Sequence, residues 1–219
     1  MSWVTHKPSF EFDNFSHIIR SQSAWNGHLD FAYDLVRFEK PGTLVELGTH
    51  LGASFFSFCQ GVKDGGLATK CFAVDTWEGD GHTGPYGEGI FQIVEKVTNV
   101  VYPNIGTLLR TTFDEAVTQF EDGTINILHI DGYHTYEAVS HDYKTWLPKV
   151  ANNGIVLFHD ITVFTGDFGV YKFWDEMKAQ HPHFQFWHSY GLGVLFPKGC
   201  SDKFSEILKN KDEIQSMYK

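Results

Sequence analysis

Asp131 and His134 stand three residues apart in the segment IDGYH, and Asp160 follows His159 at the end of a second apolar run, VLFHD. Two carboxylates and an imidazole at the ends of apolar runs suit two kinds of chemistry. The first is proton removal. A positioned base contributes on the order of 10²–10⁴-fold, and histidine is the side chain whose ordinary pKa sits nearest neutral pH. His134 is the candidate base, with Asp131 to orient it. The second is the binding of a hard cation, because carboxylate oxygens suit Mg²⁺, Mn²⁺ or Ca²⁺, and a bound cation acidifies an oxygen held on it. Asp131, Asp160 and His134 are then the candidate metal ligands. The residues leave both roles open, beside a plainer one in which the acids bind substrate hydroxyls and His134 caps a helix. Strand alternation points His159 away from the site, and His129 reads as a core histidine.

A second constellation lies upstream. LVELGTHLG (44–52) is a short apolar strand followed by a glycine-rich turn, with Glu46, Gly48 and Gly52 in an E-x-G-x-x-x-G pattern. The next strand, CFAVD, ends in Asp75. Glycines let backbone approach a ligand closely, and an acid at the tip of the following strand accepts hydrogen bonds from ribose hydroxyls. This is the pattern of a nucleoside-cofactor site. The dinucleotide fingerprint G-x-G-x-x-G needs glycines where His50 and Ala53 stand, so a cofactor without a pyrophosphate fits better. S-adenosylmethionine is the candidate.

The elements that must position these groups alternate between strand and helix. Trp25, Leu29, Ala32 and Val36 fall at helical spacing before the strand at 43–47. Phe55, Cys59 and Val62 mark the next helix, 70–75 a strand, and Ile90 to Val101 an amphipathic helix. A strand near 107–111 follows, and Thr112 with Glu115 forms a capping box. INILHID is a strand, and the helix after it carries Tyr136, Val139, Tyr143 and Leu147 on one face. Pro148 and Gly154 bracket a turn into the strand IVLFHD, and Val170 to Met177 form a helix. HFQFWHSY and GVLFP then read as a hairpin, and Ser201 as the cap of a last helix. The fold class is α/β: a doubly wound, mostly parallel seven-stranded sheet with a terminal antiparallel hairpin. In such sheets ligands sit beyond the carboxyl ends of the strands, where Glu46, Asp75, Asp131 and Asp160 all fall.

Composition narrows the partners. A formal charge of −10 with no basic cluster argues against nucleic acid or an anionic membrane. Three cysteines without metal-ligand spacing fit a reducing compartment, and no apolar run has the length of a signal peptide or a membrane span, so a cytoplasmic protein is expected. The segment EGDGHTGPYGEG (78–89) is too glycine-rich to pack a core, and Trp77, His82 and Tyr86 in and beside it are candidates for a wall over the cofactor or a platform for a sugar. Residues 1–22 form an aromatic arm that either covers the acceptor pocket or meets a second subunit, and 23–219 form a single domain.

From about Ser23 to Phe196 the chain resembles class I S-adenosylmethionine-dependent methyltransferases. It is most similar to the branch with an I-D-G-x-H segment after strand four and an H-D pair after strand five, here Ile130 to His134 and His159–Asp160. VELGTHLG, AVDTWEGD, FDEA, LHIDGYHTYEAV, VLFHD and FGVYKFWDEM carry the similarity. The resemblance implies an O-methyltransferase acting on a small hydroxylated acceptor, a saccharide or glycosylated metabolite, and leaves a homo-oligomer open. It assigns Glu46, Gly48, Thr49, Gly52, Asp75, Thr76, Trp77 and Asp131 to the cofactor. It also implies Mg²⁺ or another divalent cation at the ends of strands four and five, as some relatives hold. Two departures stand out. Thr49-His50-Leu51 replaces a fuller glycine pattern, and Ile161 occupies the place of an amide ligand. The rival readings are an NAD-dependent oxidoreductase and a catalytically silent S-adenosylmethionine-binding subunit.

Overall fold

The structure, a computed structural model, describes residues 3–218; Met1, Ser2 and Lys219, the outermost residues of the expected arm and domain, lie outside it. The aromatic arm leads through short helix α1 (Ile18–Ser21) and a 3₁₀ turn (Ala24–His28) into α2 (Leu29–Glu39). Then come β1 (Thr43–Leu47), α3 (Ala53–Gly65), β2 (Lys70–Asp75), and a two-residue ladder formed by β3 (Gly79–Asp80) and β4 (Gly84–Pro85). Next are α4 (Glu88–Val101), β5 (Gly106–Arg110), α5 (Phe113–Ala116), β6 (Ile125–Ile130), α6 (Tyr136–Trp146) and β7 (Val150–His159). The chain ends with α7 (Val170–Lys178), β8 (His183–Phe186), β9 (Leu192–Leu195), α8 (Asp202–Lys209) and α9 (Lys211–Met217).

Seven strands form one sheet in the order β5-β2-β1-β6-β7-β9-β8. The first five are parallel, and β9 and β8 add antiparallel pairs at one edge. Parallel neighbours need helical crossovers, which bury both faces of the sheet. Alternation along the strands therefore feeds two cores. Leu44, Ile127 and Leu157 face α2, α3 and α4, while Val45, Leu128 and Phe158 face α6 and α7. Trp3, Phe10 and Phe12 of the arm pack into the first core against Phe31, Tyr33 and Phe56 of the same chain.

Three local expectations change. β7 begins at Val150 rather than after Gly154, with a register irregularity against β6 and Asn153 at φ +59°, so the expected turn is an irregular start of the strand. Ser201 precedes α8 but its hydroxyl makes no cap bond. A further helix, α9, follows, and the buried Ile214 and Tyr218 bind it and the adjoining chain end to the first core. The Thr112–Glu115 capping box is present as expected, opening α5.

Candidate functional site

The strand order reverses between β1 and β6, and a cavity of about 790 Å³ opens beyond their carboxyl ends. Gly48 brings the two strand ends together. It sits at φ +85°, and a Cβ there would lie 2.1 Å from the Asp131 carbonyl oxygen. No other residue type fits. The Asp131 N–H donates to the Leu47 carbonyl at 2.9 Å, extending the parallel ladder by one step and fixing where the carboxylate emerges. Gly52, at φ +84°, ends the turn as the N-cap of α3, with the Phe56 ring packed beneath it.

Of the residues expected at the cofactor, Gly48, Thr49, Gly52, Asp75, Thr76 and Asp131 line the cavity; Glu46 and Trp77 do not. Glu46 is fully buried on the α3 side of the sheet, where its Oε2 lies 2.8 Å from Nδ1 of the cross-strand neighbour His129. One residue before the strand end, it faces the core rather than the rim. Burial pushes the Glu46 carboxyl up. Trp77 is likewise buried, donating from Nε1 to the His50 carbonyl at 2.9 Å and packing on Phe91, so it braces the turn from below. The Asp75 carboxylate accepts three backbone N–H bonds, from Thr49 and His50 at 2.9 Å and from Trp77 at 2.7 Å. A carboxylate has about four acceptor positions. Asp75 thus shapes the turn and keeps room for about one further donor, short of a full pair of ribose hydroxyls.

At the ends of β6 and β7 the structure gathers Asp131, His134 and Asp160, and adds His159. His134 Nε2 lies 3.0 Å from Asp160 and 3.8 Å from Asp131. Contrary to the alternation argument, His159 does not leave the site. Its Nδ1 lies 3.2 Å from Asp160 and 3.4 Å from Asp131, while its Nε2 donates to the Ser189 carbonyl at 2.9 Å. The reason is local. His159 ends the strand, and Asp160 adopts a left-handed φ of +61°, which turns its carboxylate back beside the ring. Non-glycine residues held there cost of order 1–3 kcal/mol and cluster at functional sites. The H-D pair itself was the sequence signal that alternation overrode.

Charge in this cluster is strongly coupled. Burial opposes a proton on His134, but the hydrogen bonds and charges of Asp131 and Asp160 outweigh it and push the ring up to about 10. His159 is pushed up to about 10 by the same balance. Burial would raise both carboxyls, yet His159 and His134 hold Asp131 well below the usual range and Asp160 below it. The two carboxylates thus favour a proton on both rings, a departure from the free base that the ordinary pKa of His134 suggests. One ligand atom each from Asp131, His134 and Asp160 lies within 4.8 Å of the others, a spacing that fits a shared cation. Ile161 is buried among apolar residues and offers no ligand.

The glycine-rich segment folds over this cluster. Gly79 meets the Gly84 carbonyl so closely that no side chain fits, and the tight ladder carries His82 inward. His82 stacks on Phe168 at 4.5 Å, and His134 stacks on the same ring at 4.8 Å. Tyr86 stacks on His50 at 4.7 Å, on the cofactor side. Phe168 and Asp167 were not singled out by sequence; they follow β7 in the loop whose Gly169 N–H donates to the His134 carbonyl at 2.8 Å. Gln22, Ser23 and Trp25 also line the cavity.

A mostly parallel α/β sheet with a glycine turn at the switch point and acids at the strand ends is a Rossmann-like architecture. More narrowly, the chain belongs to the methyltransferase domain family, whose profile matches residues 45–161. It is 46% identical over 180 residues to the uncharacterized protein y4gI of Sinorhizobium fredii (strain NBRC 101917 / NGR234), covering 82% of this chain and 20% of that protein. The chain thus spans about a fifth of the length of this curated relative. Two solved structures share the fold. The S-adenosylhomocysteine-bound methyltransferase PaMTH1 of Podospora anserina superposes with a TM-score of 0.65 at 12% identity, covering 87% of this chain and 89% of that one. The O-methyltransferase TomG of Streptomyces achromogenes, in complex with S-adenosylmethionine, gives 0.62 at 10% identity, covering 90% and 92%.

Proposed function

We propose that this chain transfers a methyl group from S-adenosylmethionine to a hydroxyl of a small acceptor, a saccharide or glycosylated metabolite. The observation that carries the reading is one cavity with two chemically distinct walls. The Gly48–Gly52 turn braced by Asp75 forms one wall, and the Asp131, His134 and Asp160 cluster forms the other. The cofactor supplies an electrophilic methyl with its own leaving group. The chain must therefore orient the acceptor oxygen and dispose of its proton. His134 Nε2 offers two mutually exclusive services: it takes that proton, or it serves with Asp131 and Asp160 as a ligand. The convergence of one ligand atom each from Asp131, His134 and Asp160 within 4.8 Å supports the second. A divalent cation of the Mg²⁺ or Mn²⁺ kind would take the place of a proton on Nε2, neutralise both carboxylates and acidify an acceptor hydroxyl. Tyr133 and Tyr190, 38% and 57% exposed at the cavity wall, supply flat faces suited to a sugar ring.

The test is labelled S-adenosylmethionine with pooled glycans and phenols, run with and without chelator. Label in a glycan fraction, lost with chelator and restored by Mg²⁺ or Mn²⁺, is the expected result. Full transfer in excess chelator would return His134 to the role of base with Asp131 orienting it. Tight cofactor binding without transfer to any acceptor would favour a silent subunit.

A further inference from the structure

His82 makes a contact that neither role of His134 explains. Its ring, only 12% exposed, places Nδ1 at 3.2 Å from Nδ1 of His134 and Nε2 at 2.7 Å from Oδ1 of Asp167. Two ring nitrogens in contact need one donor and one acceptor. Asp167 only accepts, so it fixes the His82 proton on Nε2 and leaves a lone pair on Nδ1. That lone pair in turn accepts from His134, fixing a proton on His134 Nδ1. Neutral His134 then presents its own lone pair at Nε2, the nitrogen that faces Asp131 and Asp160. Phe168, stacked on both rings, holds them in register.

We infer that His82, backed by Asp167, is a positioning residue that sets the tautomer of His134 and so readies its Nε2 for the acceptor's proton or for a cation. This rests on His134 acting as proposed above. Metal-bound imidazoles donate their second N–H to an acceptor, usually a carboxylate, carbonyl or water, and losing that acceptor costs roughly 10–100-fold in affinity or activity; His82 Nδ1 takes that place here. Here the partner comes from the β3–β4 segment and its backing acid from the loop after β7. The tautomer is therefore set only when those two segments meet over the cavity.

Two variants separate hydrogen bonding from packing. His82→Phe keeps a ring against Phe168 and removes the acceptor. His82→Asn loses the ring but places an amide oxygen near the lost Nδ1. The expected result for His82→Phe is a kcat lower by roughly 10–100-fold with an unchanged KM for S-adenosylmethionine. His82→Asn should recover most of that loss. Wild-type kcat in His82→Phe, or equal impairment of both variants, overturns the inference. A second readout needs no turnover. In ¹⁵N-labelled protein the His82 ring should read as the Nε2–H tautomer and become a mixture in Asp167→Ala. A proton found on His82 Nδ1 overturns the assignment. If the tautomers hold but no acceptor is ever methylated, the proposed function fails and only the tautomer assignment stands.

Discussion

Asp131, Asp160, His134 and His159 form a compact group in which each charge depends on the others, so pH is the sharpest probe at the level of single residues. Both rings are raised from the ordinary 6.5 to about 10 on folding. A raised folded pKa stabilises fully below 6.5 and loses that contribution as pH climbs toward 10. The two carboxyls are depressed from 3.8, so their contribution is present above that value and lost as pH falls below it. The melting temperature of the ligand-free protein should therefore decline on both sides of this range. His134→Gln should remove part of the alkaline decline, leaving the part due to His159. A wild-type melting temperature that stays flat from pH 6.5 to 10 would mean that the rings are neutral. Asp75 offers a second test. Asp75→Ala leaves the backbone N–H groups of Thr49 and His50 in the turn, and of Trp77 after β2, without their acceptor, and each charge-assisted bond is worth about 1.5–3 kcal/mol. Calorimetry should show S-adenosylmethionine affinity falling by about tenfold or more, and unchanged affinity would remove Asp75 from the cofactor wall.

The turn between β1 and α3 is the element on which the site depends, and its glycines are not equivalent to others in the chain. Gly48→Ala places a Cβ into the Asp131 carbonyl at a φ that L-residues avoid. It should destabilise by roughly 3 kcal/mol or more, through strain and displacement of β6 from β1, read by chemical denaturation. Gly89→Ala is the control. It lies in α4 with nothing within 4 Å of the new Cβ, and should stabilise by about 0.5–1 kcal/mol. At α5 the Thr112 hydroxyl accepts from the Glu115 N–H, and Thr112→Ala should cost about 1 kcal/mol by the same measurement. Capping and turn chemistry are local, which is why both were legible as residue patterns. The irregular start of β7 was not, because its alignment depends on β6 beside it.

For the molecule as a whole, ligand binding should read out as stability. S-adenosylmethionine at a hundred times its dissociation constant adds about 2.7 kcal/mol. For a domain of this size that corresponds to a rise of roughly 5–10 °C in melting temperature. NAD at the same concentration should produce no shift; a rise with NAD and none with S-adenosylmethionine would overturn the cofactor assignment. Among the described residues no helix is long and apolar enough to cross a membrane. The arm contributes to the same stability, since Trp3 donates to the Tyr218 hydroxyl at 2.7 Å and His6 pairs with the buried Asp34. Tyr218 also donates to Asp34, so the two described ends of the chain are tied to α2.

By itself the amino-acid order determined the alternation of strands and helices, the parallel sheet with its antiparallel edge, the glycine turn, and the strand ends that carry Asp75, Asp131 and Asp160. These follow from hydrophobic periodicity, backbone permissiveness at glycine and chain connectivity, all readable within short windows. Tertiary structure decided the rest. It turned Glu46 toward His129 and Trp77 beneath the turn, because a residue's face depends on where its neighbours end rather than on its own type. It drew His159 into the acidic cluster through the left-handed backbone of Asp160. It also raised His134 far from its ordinary pKa, and joined His82, His134 and Asp167 across 85 residues of chain. Protonation and hydrogen-bond direction belong to groups in contact, and contact between distant residues exists only once the sheet has closed its switch point and the two loops have met above it.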